Sequence, residues 1–94
     1  MEIGTSVGGA LFTVVYPNPM GDNGTLLIHA ENFTGQAYIS IFDLSGRMIQ
    51  NTEITVTGGE GKLGINHSDY AVGMYVYSVY LQNGETLNGK FNVQ

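Results

Sequence analysis

The sequence predicts an all-β fold on three observations. Fourteen glycines punctuate 94 residues, and Gly costs about 1 kcal/mol relative to Ala inside a helix while it suits turns. No window of eleven or more residues keeps an i, i+3, i+4, i+7 apolar stripe without a glycine, whereas period-2 alternation recurs. Turn signals fall every 8 to 15 residues, the spacing of short strands in a two-sheet sandwich.

The first strand, Leu11 to Tyr16, is stopped by Pro17-Asn18-Pro19, where two prolines remove backbone donors and fix φ. The second, Thr25 to Ala30, puts Leu26, Ile28 and Ala30 on one face. The third, Gln36 to Asp43, alternates Ala37, Ile39 and Ile41 against Tyr38, Ser40 and Phe42. Asp43-Leu44-Ser45-Gly46 is a tight turn, with Asp able to bond amides ahead of it and Gly free to take positive φ. A hairpin leads to the fourth strand, Arg47 to about Val56, with a break expected near Asn51. Gly58-Gly59-Glu60-Gly61 is a hairpin connection to a short fifth strand, Lys62 to Asn66. The sixth, Met74 to Leu81, carries three tyrosines and two valines, which fill a half-buried pleated surface. Asn83-Gly84 has the composition of a two-residue turn with φ > 0 at both positions. The last strand, Glu85 to Val93, puts Leu87, Gly89, Phe91 and Val93 on one face and Asn88, Lys90 and Asn92 on the other. About seven antiparallel strands so spaced predict an immunoglobulin-like β-sandwich.

Composition bounds what such a domain does. One core fits 94 residues, and Leu, Ile, Val and Phe number 26, above the roughly 20% below which chains stay disordered. A chain this small has no room for a deep enclosed cavity, so no cofactor is expected. Three Lys and Arg against eight Asp and Glu give a charge of -5, which excludes a basic footprint for nucleic acid or an anionic membrane surface. The longest uncharged stretch, Ile3 to Gly21, is broken by four glycines and two prolines, so no direct membrane insertion is expected. The absence of cysteine removes disulfides, thiolate metal sites and cysteine nucleophiles. Residues 1 to 10, with Glu2 and no apolar central region, suit a linker leading into a domain spanning 11–94.

No motif for catalysis or metal binding is complete. His29 and His67 have no ligand partners at metal-site spacing. His67-Ser68-Asp69 holds the residue types of a hydrolytic triad, but neighbours on one loop cannot line up nucleophile, base and orienting acid. Gly58 to Lys62 departs from a phosphate loop, with Val56 at the first glycine position and Leu63 where Ser or Thr would hold magnesium. Asp22-Asn23-Gly24 lacks the further ligands of a calcium loop and suits a β-turn. Three Asn-x-Ser/Thr patterns, at Asn23, Asn32 and Asn66, predict exposed loops. Six tyrosines raise a glycan-binding reading, because an exposed aromatic can stack on a sugar ring. Tyr75 and Tyr77 share one strand face and Tyr80 takes the other, so part of the set is core, and core packing is favoured for the set.

Four segments carry a further signal: Val15-Tyr16-Pro17-Asn18-Pro19, Ile41-Phe42-Asp43-Leu44-Ser45-Gly46-Arg47, Gly73-Met74-Tyr75-Val76-Tyr77 and Gly89-Lys90-Phe91-Asn92-Val93. Their order and spacing resemble the C-terminal sorting domain of type IX (Por) secretion cargo, type A, over roughly Phe12 to Gln94. The resemblance implies a non-catalytic immunoglobulin-like address module of Bacteroidetes that directs a larger cargo through the periplasm and outer membrane to the cell surface. It implies as partners a translocon, an outer-membrane shuttle protein and a surface sortase, and any sortase cut would fall before Leu11. The sorting-motif residues that carry over are Pro17, Asn18 and Pro19, then Asp43 and Gly46, then Gly73 and Tyr75. At the C-terminal end they are Gly89, Lys90, Phe91 and Val93. Tyr70 departs from the family pattern, which more often has leucine before the Ala-x-Gly turn. An immunoglobulin-like adhesion or glycan-binding module is the alternative. The final strand is expected to have a free end, with Lys90 outward and Phe91 and Val93 inward, where a receptor could read it by side chains or edge pairing.

Overall fold

A computed structural model describes residues 10–94; the linker expected over residues 1–10 lies outside these except for Ala10. Seven strands form, in the predicted order: β1 (Leu11–Tyr16), β2 (Gly24–Ala30), β3 (Gly35–Asp43), β4 (Met48–Val56), β5 (Glu60–Ile65), β6 (Gly73–Leu81) and β7 (Thr86–Val93). They make a three-stranded sheet, β1-β2-β5, packed on a four-stranded sheet, β4-β3-β6-β7, with every strand pair antiparallel. Period-2 alternation sets which side of each strand is inside. Leu26, Ile28 and Ala30 from β2 face Ala37, Ile39 and Ile41 from β3, all buried, and Val79, Leu81, Phe91 and Val93 complete the layer from β6 and β7. Fully burying each of the Leu, Ile, Val and Phe side chains among these stabilises the fold by about 1.5–3 kcal/mol.

Two turns differ from expectation. Gly58 and Gly59 both have positive φ, 61° and 85°, and Thr57 and Glu60 exchange hydrogen bonds across them; the two-residue turn of this chain therefore lies here. It is not a hairpin within one sheet, because β4 and β5 belong to different sheets and the turn carries the chain across the sandwich. At Asn83-Gly84 only Gly84 has positive φ (97°), and Leu81 N–H donates to Glu85 O over a three-residue loop. The β3–β4 turn repeats that arrangement, with Asp43 N–H donating to Arg47 O and Gly46 at φ 90°. In both, a left-handed residue follows a turn whose strands would otherwise splay. The break expected near Asn51 is absent. β4 runs unbroken, and its irregularity is at Ile49, where Ile41 pairs with Gln50 but Phe42 pairs with Met48; one extra residue there is a bulge.

A candidate recognition site

Register brings the four sequence segments to one end of the sandwich. Asp43 ends β3 opposite Tyr75, Tyr75 lies opposite Phe91, and Gly73 (φ 150°) opens β6 opposite Val93. The chain leaving Tyr16 passes through Pro17-Asn18-Pro19 to Met20, which forms a parallel bridge with Val93. Ala10 and Leu11, where preceding residues join, lie at the opposite end, beside Ala30 and Glu31.

The Pro17–Met20 segment clamps the last strand. Neither proline can donate to a ladder, so pairing with β2 stops at Tyr16 opposite Thr25. Asn18 Oδ1 accepts the Asn92 N–H at 3.0 Å. Met20 N–H donates to Asn92 O at 2.7 Å, and Gln94 N–H donates to Met20 O at 2.9 Å. The Met20 side chain is fully buried. The free end expected for the final strand is thus a clamped one, for the reason that an edge strand presents N–H and C=O groups that require partners. Asn18 provides one of these partners, an acceptor, through its side chain.

Beneath the clamp lies an aromatic cluster. Tyr75 stacks on Phe91 with centroids 5.6 Å apart and planes at 21°. Tyr70 packs edge-on against Tyr75, at 5.1 Å and 88°, and against Phe91, at 6.0 Å and 67°. Tyr75 Oη donates to Ala71 O at 2.6 Å, and Tyr70 Oη donates to Gln50 Oε1. Tyr70 therefore fills a core position and finds a partner for its hydroxyl. Burial, with the Asp69 charge second, pushes that hydroxyl up from its ordinary 10.0 to about 12. Tyr77 lies across Gly89: a Cβ at Gly89 would overlap the Tyr77 ring, so only glycine fits. Tyr77 Oη also bonds Thr13 Oγ1 at 2.6 Å, tying β6 to β1 across the two sheets. The tyrosines divide evenly: Tyr70, Tyr75 and Tyr77 are buried, whereas Tyr16, Tyr38 and Tyr80 are exposed.

The β3–β4 turn forms the rim. Asp43 Oδ1 accepts from Ser45 Oγ (2.6 Å), Ser45 N–H (3.0 Å) and Arg47 N–H (3.0 Å), and Arg47 Nε is 3.3 Å from Oδ2. The Ser45 hydroxyl bond first, and then the Arg47 amide, hold the Asp43 carboxyl below its ordinary 3.8. These bonds present Leu44, 71% exposed, at the tip of the turn, and Val72, 76% exposed, stands in the loop before β6. Of the last motif, Phe91 and Val93 are buried and Lys90 points outward.

Sequence reasoning missed the polar staples of this end. Asn23 Oδ1 accepts the His67 N–H at 2.8 Å, His67 Nε2 contacts Gln94 O at 2.8 Å, and Asn66 Oδ1 caps the 3-10 turn His67–Asp69 by accepting from Ser68 N and Oγ. The signal was present as Asn preceding turn residues, a capping pattern. Two of the three Asn-x-Ser/Thr patterns are thereby explained as caps and braces. The Ser68 hydroxyl is turned to Asn66 rather than to an imidazole. Among the described residues, no three His, Asp or Glu side chains gather as a metal site would require.

A family model described as a secretion system C-terminal sorting domain matches residues 14–94. Among solved structures, the fold is similar to part of dimeric latent PorU from Porphyromonas gingivalis, with TM-score 0.71, 16% identity, and coverage of 96% of this chain and 10% of that one. A similar fold occurs in chitinase ChiW, a cell-surface-expressed multi-modular enzyme of Paenibacillus sp. str. FPU-7 (TM-score 0.58, 16% identity, 98% of this chain and 11% of that one). Another is CopC from Methylosinus trichosporium OB3b (TM-score 0.52, 19% identity, 89% and 91%). The chain thus spans about a tenth of the PorU and ChiW chains. No curated protein matches it.

Proposed function

The chain belongs to the family of secretion-system C-terminal sorting domains, and from that premise we propose that the end formed by Pro17–Met20, the Asp43–Arg47 turn and the last strand is the surface its export machinery reads. The domain is a sorting signal for type IX secretion, and a protein carrying it is directed to the cell surface or released. The finer reading is a type A signal without catalytic activity, folding over residues 11–94. Its partners are a translocon, an outer-membrane shuttle protein and a surface sortase that cuts before Leu11.

One observation supports this assignment above the others. Segments far apart in sequence converge on one end, and Asn18 reaches Asn92 across 74 positions. Residues that only had to close a sandwich could lie at either end. Because Phe91 and Val93 are buried, a receptor meets this motif as a folded surface whose accessible side chains include Pro17, Asn18, Pro19, Leu44, Arg47, Val72, Lys90 and Gln94. It does not meet a linear tail.

The test is export of a reporter fused to residues 11–94 in a type IX-competent bacterium. Deleting Gly89 to Gln94 would remove core residues as well as any signal, so it does not separate the two. Leu44→Asp with Val72→Asp changes only exposed positions. The double variant should melt within a few degrees of the parent, consistent with surface substitutions, and should leave the reporter in the periplasm. A folded double variant exported like the parent would sink the assignment.

A further inference from the structure

The outer face of the four-stranded sheet meets the clamped end only at Lys90, and its side chains stand in cross-strand rows fixed by register. Glu53, Tyr38, Tyr80 and Thr86 form one row; Asn51, Ser40, Ser78 and Asn88 form the next; Phe42, Val76 and Lys90 form the third. In the middle row two short serines lie between taller ridges, so the face is troughed across the strands. Three inter-strand gaps of about 4.8 Å make the trough about 14 Å long. Its β6–β7 end is a depression of about 440 Å³ over the backbone of Tyr77 and Gly89, walled by Phe42, Val76 and Lys90 on one side and by Ser78 and Asn88 on the other. Along the far ridge Tyr38 and Tyr80, 38% and 49% exposed, lie with ring centroids 6.2 Å apart.

The chemistry of the trough limits what can occupy it. Elsewhere Asn18, Asn23, Asn66 and Asn83 each accept from a backbone N–H. In contrast, the amides of Asn51 and Asn88 and the hydroxyls of Ser40 and Ser78 bond no protein group among the described residues. A purely apolar partner would leave these four groups desolvated and unpaired, which is costly. The row is uncharged although the chain carries eight acidic residues, and the flanking charges, Glu53 and Lys90, are one of each sign. A strongly anionic partner would meet Glu53 and the net charge of -5. An added protein strand would pair with a sheet edge, not lie across a face. Amides and hydroxyls that both donate and accept, beside exposed aromatic faces, match a ligand that alternates C–H faces with hydroxyl groups.

We infer that this trough binds a neutral oligosaccharide, with pyranose faces against Tyr38 and Tyr80 and ring hydroxyls bonded to Asn51, Ser40, Ser78 and Asn88. This is an activity separate from sorting, on a surface that shares none of the exposed residues of the clamped end except Lys90, which borders both.

The test is titration of the ¹⁵N-labelled 94-residue domain with cellohexaose, N-acetylchitohexaose, mannohexaose, laminarihexaose and, as an acidic counterpart, hexagalacturonate. At least one neutral hexamer should give saturable shift changes centred on the trough. Tyr80→Ala should weaken that binding about tenfold, Asn88→Ala should weaken it less, and Phe12→Ala on the opposite sheet should leave it unchanged. Tyr80→Ala should also leave reporter export intact, which keeps the result independent of the sorting surface. No saturable shift with any neutral hexamer would overturn the inference. So would shifts centred on the Phe12–Tyr16 face, binding that survives Tyr38→Ala with Tyr80→Ala, or tighter binding of hexagalacturonate than of every neutral hexamer. The shift map on the parent domain decides the matter even if a variant folds poorly.

Discussion

At the clamped end of the sandwich, side chains hold distant segments together: Asn18 bonds Asn92, Asn23 bonds His67, and Tyr70 bonds Gln50 over the Tyr75–Phe91 stack. At the opposite end the backbone does most of this work. Gly59 N–H donates to Phe33 O, Ala30 N–H to Gly59 O and Gln82 N–H to Gln36 O, around turns formed by Asn32 (φ 67°), Gly58-Gly59 and Gln82-Asn83-Gly84. Backbone bonds tolerate most side chains, so the second end depends on residue identity mainly at its left-handed positions and at Glu31, Thr34 and Gln82, whose side chains accept the Ala10, Gly58 and Gln36 N–H groups. The first end depends on residue identity at many positions, and it is the end where the residues proposed as sorting motifs converge. An end that only closed a sandwich would not need that dependence; one that presents a defined surface does.

The largest effect expected from this contrast is at Phe91. Phe91→Ala should cost about 3–5 kcal/mol in urea unfolding, and a loss below about 1 kcal/mol would break the claim that the last motif is core. Gly89→Ala should cost about 1–3 kcal/mol through overlap with Tyr77; adding Tyr77→Ala should make the Gly89 change less costly, and additive losses would show that the two do not meet. Tyr70 gives a pH test. Its hydroxyl is raised in the folded state from 10.0 to about 12, so unfolded chains release this proton first and stability falls as pH rises between those values. Tyr70→Phe should flatten that fall in melting temperature, and an unchanged slope would assign it to another group. Asn18→Ala should cost about 1 kcal/mol and speed hydrogen exchange at the Asn92 amide, while an unchanged exchange rate would show that the clamp does not depend on the side chain. The smallest effect belongs to the opposite end, where Asn32→Gly should shift stability by only a few tenths of a kcal/mol and leave reporter export unchanged. Loss of export there would erase the distinction between the ends.

Much of the fold was legible because side-chain alternation is local. The faces of β2, β3 and β7 follow from Leu26-Ile28-Ala30, Ala37-Ile39-Ile41 and Phe91-Val93, all of which are buried. Strand limits shifted by a residue or two. Turn geometry was harder, because Asn-Gly at 83–84 and Gly-Gly at 58–59 both permit positive φ, and their composition does not say that only Gly58-Gly59 takes it at both residues. At the site, the motif residues could be picked out in the sequence, but their convergence could not, nor could the burial of Met20 or the partners of Asn23 and Asn66.

The sequence alone determined an all-β domain of about seven strands, the inward face of its principal strands, the absence of thiol chemistry and a resemblance to sorting domains. Tertiary structure decided that the turn after β4 crosses between sheets, that the last strand is clamped rather than free, and that the tyrosines split between a buried cluster and exposed positions on both sheets. The reason is range. Alternation and turn chemistry act between neighbours in the chain, whereas the Asn18–Asn92 bond and the Tyr77–Gly89 contact exist only once the register of paired strands has brought those residues together.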